Sequence, residues 1–135
     1  MDTREVSERL LEYGVRAIRV VESLPQTVVG RRIGDQLLQS SISVGANYEE
    51  AQGAELRDDF VHKLQIALKE VRESNYWLRL LDKAEIVPGS RLSAILDESN
   101  QWRAMLSKAV TTTKGKGKAV NPQADETANR KSKTI

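Results

Sequence analysis

The stretch from Ile33 to Leu81 places the tightest limits on how this chain can fold. Its second half carries Phe60, Leu64, Ala67, Val71, Ser74, Leu78 and Leu81, alternating steps of four and three that trace one face of an α-helix. Its first half sets Ile33, Leu37, Val44, Tyr48 and Ala51 on a similar stripe, interrupted at Ser40 and Ser41. Only the turn from Gly53 to Arg57 separates the two. Two long helices joined so closely must run antiparallel, and each needs further partners to cover its apolar face. Val61, Ile66, Leu68 and Trp77 broaden the stripe of the second helix, which predicts that it touches more than one neighbour.

The rest of the chain supplies those partners. Val6, Leu10, Tyr13, Ala17, Val20 or Val21, and Leu24 share one helical face; Asp2 or Thr3 is placed to cap its start and Pro25 to end it. Pro88-Gly89-Ser90 forms a turn and opens a last helix through Leu92, Ile95, Leu96, Ser99, Trp102, Leu106 and Ala109, fading near Val110. No segment reads as a strand. The pattern predicts helices over 3–24, 27–52, 58–84 and 90–110, in one domain spanning residues 1–112. This is an all-α, up-down-up-down antiparallel four-helix bundle. Residues 113–135 hold alternating Lys and Gly, one proline and few apolar side chains. Such a segment buries too little to offset its ordering entropy and reads as a disordered basic tail.

Composition narrows the chemistry. The absence of cysteine excludes disulfides, iron–sulfur clusters and thiolate catalysis. The charged amino terminus lacks the apolar run of a signal peptide, and no apolar run is long enough to span a bilayer. A cytoplasmic protein without membrane attachment is expected. From Thr111 onward six Lys or Arg face two acids, a net of +4, while the body holds 15 basic and 17 acidic residues, a net of −2. The basic character therefore belongs to the tail.

Catalytic constellations are lacking in the sequence. A di-iron bundle needs two Glu-x-x-His units, yet the single histidine, His62, stands in Asp-x-x-His and belongs at the edge of its helix. Glu49 and Glu50 are neighbours in sequence and so point about 100° apart on a helix, which rules out an acid/base dyad. Ser40, Ser41 and Ser43 have no histidine base arranged with them. The reading is non-enzymatic, with no metal and no cofactor.

Two polar features remain. Gln36, Ser40, Ser43, Asn47 and Glu50 run at helical spacing beside the apolar stripe of the second helix. Short and amide side chains there suit a polar network between helices or between subunits. Helix two also sets Arg31 and Arg32 near its start and Glu49 and Glu50 near its end, against its own dipole. At least one of these acids is expected to bond at the amino end of helix three or across an interface.

The run SVGANYEEAQGAELRDDFVHKLQIALKEVRESNYWLRLL resembles the family of four-helix bundle proteins encoded in intervening sequences of bacterial 23S ribosomal RNA genes. Ser43, Gly45, Ala46, Asn47, Glu50, Ala51, Gly53, Phe60, Leu64, Ala67, Leu68, Glu70, Glu73, Tyr76, Trp77 and Leu78 carry the likeness. It implies a left-handed bundle that assembles as a ring-like homo-oligomer, most often a pentamer, without an established enzymatic activity. Together with the polar stripe, it nominates Ser43, Asn47, Glu50, Glu70 and Glu73 as a structural network or oligomer interface. The leading reading is a homo-oligomeric scaffold or adaptor. The alternative is an accessory RNA- or DNA-binding protein similar to the helical bundles that accompany retroelements. Arg31, Arg32, Arg72, Arg79, Lys114, Lys116 and Lys118 would then meet nucleic acid.

Overall fold

A computed structural model describes residues 1–120, with side chains through Gly115. Four helices follow one another: α1 (Thr3–Glu22), α2 (Val28–Gln52), α3 (Arg57–Lys83) and α4 (Gly89–Val120). Local chemistry sets their ends. Asp2 caps α1 by accepting the Glu5 amide at 2.9 Å, and Thr27 caps α2 by accepting the Gly30 amide at 3.1 Å. Glycine is required at position 30 because a Cβ there would lie 2.1 Å from the Pro25 carbonyl oxygen.

Cross-helix contacts give the direction of each element. Ser41 meets Ser74 while Glu50 meets Lys63, so α2 and α3 run oppositely. Added Cβ atoms at Gly34 and Gly45 would approach Leu24 and Leu10 respectively, which makes α1 and α2 antiparallel too. Asn75 reaches Ser99, and Gly89 packs near Asp82, reversing α4 against α3. α1 neighbours α2 and α4, and α3 lies diagonally opposite it.

The core is mostly aliphatic and draws on all four helices. Leu10 and Ala17, Leu37 and Val44, Leu64, Val71 and Leu78, and Leu92 and Leu106 are all buried. Of the residues that broaden the α3 stripe, Leu68 and Trp77 join the core as this helix packs against both α2 and α4, while Val61 and Ile66 are half-buried.

The last helix differs from the expectation in length. Apolar periodicity fades near Val110, yet α4 continues to Val120 through the start of the segment read as a tail. Two contacts support the extension: Thr113 Oγ1 donates to the Ala109 carbonyl at 2.8 Å, and the Arg57 guanidinium donates to the Thr113 carbonyl. The rest of the expected tail, residues 121–135, lies outside the described residues.

Candidate functional site

Inside the bundle, halfway along, hydroxyls and an amide replace hydrocarbon. The Tyr13 hydroxyl and Ser74 Oγ are 2.5 Å apart, and Ser41 Oγ lies 2.8 Å from Ser74 Oγ. On the other side of α3, Asn75 Nδ2 donates to Ser99 Oγ at 2.8 Å and to Asn100 Oδ1 at 3.1 Å. Asn75 Oδ1 accepts from Arg103 Nη1 at 3.2 Å, and Ser99 Oγ donates to the Leu96 carbonyl at 2.7 Å. Tyr13, Ser41, Ser74, Asn75 and Ser99 are all buried. Each finds a partner, as buried polar groups must if they are not to cost stability. Burial pushes the Tyr13 phenol up to about 12, against the smaller opposing effect of its bond to Ser74. The layer holds a neutral phenol, hydroxyls and an amide, which together tie four helices in register.

This layer is not the one expected from the polar stripe. Ser43 Oγ donates to the Gln39 carbonyl at 2.6 Å, Asn47 Nδ2 to the Ser43 carbonyl at 2.8 Å, and Ser40 Oγ to the Gln36 carbonyl at 2.8 Å. Ser43 and Asn47 stand at the flank of α2, where their own helix's carbonyls are the nearest acceptors. Glu50 pairs with Lys63 of α3 at 2.9 Å, which offsets its placement at the wrong end of the α2 dipole. Glu73 Oε1 accepts from Trp77 Nε1 at 3.5 Å. Glu70 is half-buried, and its carboxyl is raised first by desolvation and then by Glu73, with Lys69 opposing.

The outer surface carries apolar side chains instead. Leu11, Val15 and Ile18 of α1 and Ile42 of α2 are exposed, Leu11 by 65%. They line a groove of about 320 Å³ together with Gly14, Gly45, Ala46, Glu8 and Glu49. Leu11, Val15 and Ile18 form their own 4-3 stripe, a signal present in the sequence beside the core stripe of the same helix.

A second cleft, about 410 Å³, opens between α1 and α4. Glu98 closes it: Arg16 Nε and Nη2 donate to its two oxygens at 2.7 Å each, and Trp102 Nε1 donates to Oε2 at 3.1 Å. Its hydrogen bond to Glu98 is the main cause that raises the Arg16 guanidinium. Both carboxylate oxygens are committed, so Glu98 clamps α1 to α4 rather than presenting a free base.

Of the basic residues singled out, Arg72 and Arg79 share the exposed face of α3. Arg31 and Arg32 are exposed near the start of α2, where Arg31 Nη1 donates to the Gln26 carbonyl at 2.9 Å. Lys114 is exposed on α4, while Lys116 and Lys118 lie beyond the described side chains. His62 is exposed on α3, and among the described residues no three His, Cys, Asp or Glu gather as a metal site. No described helix is long and apolar enough to cross a membrane.

A helical bundle with this hairpin at its centre matches the family model for the 23S rRNA-intervening sequence protein over residues 3–108. The chain belongs to that family. A solved structure of a protein of unknown function from the S23 ribosomal protein family of Bacteroides thetaiotaomicron superposes with a TM-score of 0.73 at 33% identity. That likeness covers 82% of this chain and 99% of the other. Chaperone protein ClpB of Staphylococcus aureus is 28% identical over 99 residues, and ClpB of Staphylococcus epidermidis 29%. Those matches cover 72% of this chain, which spans about 11% of the length of either chaperone. The family match covers the four helices through Lys108, so the family's shared feature is the bundle itself.

Proposed function

We propose that this member of the 23S rRNA-intervening sequence protein family is a non-enzymatic cytoplasmic scaffold or adaptor that works as a ring-like homo-oligomer, a pentamer. The observation that carries the reading is the apolar groove of α1 and α2. Leu11, Val15, Ile18 and Ile42 stand together in water, and contiguous apolar surface rimmed by polar groups marks a place where another protein docks. The glycines add to this. A Cβ at Gly14 would lie 3.8 Å from Ile42, and one at Gly45 3.5 Å from Leu10. These are ordinary contacts, so packing inside the chain does not demand glycine at either site. Each helix interior glycine costs about 1 kcal/mol relative to alanine, a cost offset if a neighbouring helix enters the groove. A ring closes through heterologous contacts, so the groove takes a different surface of the next copy.

Native mass spectrometry of the full chain over a micromolar concentration series tests this reading. A closed oligomer of one size, with pentamers predominant, supports it. A single-chain mass at every concentration overturns it.

A further inference from the structure

The outward face of α3 carries a line of residues that the bundle's architecture does not use. Lys69, Arg72, Tyr76, Arg79 and Lys83 follow one another at steps of three, four, three and four, and all five are exposed. They therefore share one face of the helix, over about 21 Å at 1.5 Å rise per residue. From His62 through Gln65 to Lys83 this line has no carboxylate. Among the described residues none of its four cations forms an ion pair, although Lys63 and Arg16 on other faces do. The charge is thus concentrated on a body that is slightly acidic as a whole.

Tyr76 stands at the middle of the line and is 51% exposed. The Arg79 guanidinium carbon lies over its ring, 5.9 Å from the centroid, and Trp77 meets the ring edge-on at 5.1 Å and 80°. The ring is therefore held in place at the surface with cations on either side along the helix. Arg103 of α4, half-buried, is anchored through Nη1 to Asn75 Oδ1 at 3.2 Å and adds a positive group between α3 and α4. The acids that adjoin the line in sequence lie off it: Glu70 and Glu73 are half-buried on one flank, and Asp82, exposed, stands on the other beside Lys83.

We propose that this stripe is a binding site for single-stranded nucleic acid, with Lys69, Arg72, Arg79 and Lys83 meeting successive phosphates and Tyr76 stacking on an unpaired base. Cationic tracks interleaved with aromatic rings bind single strands with little sequence preference, because every base offers a π-face and the backbone repeats its charge. A duplex keeps its bases stacked inside and leaves Tyr76 without a partner. An acidic protein surface satisfies the cations but gives the ring no role. This site is separate from the α1/α2 groove.

The test is fluorescence anisotropy of the full chain with labelled 20-nucleotide oligouridine RNA and oligothymidine DNA over a potassium chloride series. Binding is expected to weaken with salt at a log–log slope of about −3, set by about four cations at roughly 0.7 each. Lys69→Gln/Arg72→Gln/Arg79→Gln should lower affinity at least about tenfold and flatten the slope by about 2. Tyr76→Ala should lower affinity about tenfold at an unchanged slope, and Tyr76→Phe should restore it. Arg4→Gln/Arg9→Gln, on the diagonally opposite helix, should bind as the parent does, and circular dichroism should show all variants equally helical. The RNA and DNA arms distinguish the two sources of single strand. Absence of binding to both at low salt overturns the proposal. So does a triple variant that binds like the parent, which puts the contacts elsewhere, residues 111–135 included. Equal competition by duplex DNA or polyglutamate with no effect of Tyr76→Ala also overturns it, in favour of a general anion surface.

Discussion

The middle of the bundle and the outside of α1 and α2 exchange their usual residues. The buried layer holds Tyr13, Ser41, Ser74, Asn75 and Ser99, while Leu11, Val15, Ile18 and Ile42 stand in solvent. Hydrocarbon at the inner positions would pack as well and cost no desolvation; side chains that must find one another across helices add something hydrocarbon lacks, a single allowed register. On the outside, polar residues would satisfy a monomer, and apolar ones gain only if another surface covers them. The inner layer therefore serves the fold of one chain, and the proposed ring assigns the outer patch to association between chains. Substitutions in the two regions should separate accordingly, with stability changing in one and assembly in the other.

The inner layer should give the largest stability losses. Asn75→Ala removes the one side chain that joins Ser99, Asn100 and Arg103. It also opens a cavity at a fully buried site, so urea unfolding should show a loss of about 3 kcal/mol. Ser74→Ala strips the shared partner of Tyr13 and Ser41, and about 2 kcal/mol is expected by the same measurement. Tyr13→Phe leaves Ser41 and Ser74 bonded to each other and should cost about 1 kcal/mol at neutral pH. Alkali sharpens that last case. Because the folded chain holds the Tyr13 phenol up at about 12, against about 10 for an unfolded tyrosine, the folded state favours the protonated phenol. Its contribution is complete below the unfolded value and is lost as pH rises from there through the folded one. The urea midpoint of the parent should therefore fall more steeply over that window than that of Tyr13→Phe.

Smaller effects belong to the surface. Glu70 is raised by desolvation and by Glu73, so its ionised form is disfavoured on folding, and stability is lost as pH rises through its folded value. Glu70→Gln should raise the melting temperature slightly at neutral pH, and the gain should shrink as acid protonates the carboxyl in both states. Leu11→Gln/Ile42→Gln should leave the stability of an isolated chain within about 0.5 kcal/mol of the parent. A large loss there would erase the division between the two regions.

Sequence reasoning located the helices more readily than the contacts between them. The starts of α1 and α2 follow from Asp2, Pro25 and Thr27, whose effects are local and hence visible in the chain. The end of α4 was hidden because apolar periodicity records burial, and burial fades near Val110 while backbone hydrogen bonding continues to Val120. Ser74 and Ser99 sat in the apolar stripes at positions that required burial, so their location was legible. Their partnership with Tyr13, Ser41 and Asn75 depends on how the helices are rotated against one another, which no single stripe records. Within one chain Ser43 and Asn47 bond to their own helix, since a helix-flank hydroxyl or amide satisfies itself on its own backbone as readily as across an interface. The second α1 stripe was written plainly at Leu11, Val15 and Ile18 and was overshadowed by the core stripe beside it.

Sedimentation equilibrium of the full chain beside its Val15→Glu variant tests the division most directly. Val15 is 45% exposed on the groove face, so a carboxylate there is tolerated in a lone chain and is buried unpaired in an assembled one. The account predicts a pentameric mass for the parent at micromolar concentration and a single-chain mass for the variant, with unchanged helicity. Equal masses for the two proteins, whether both assembled or both monomeric, would contradict it.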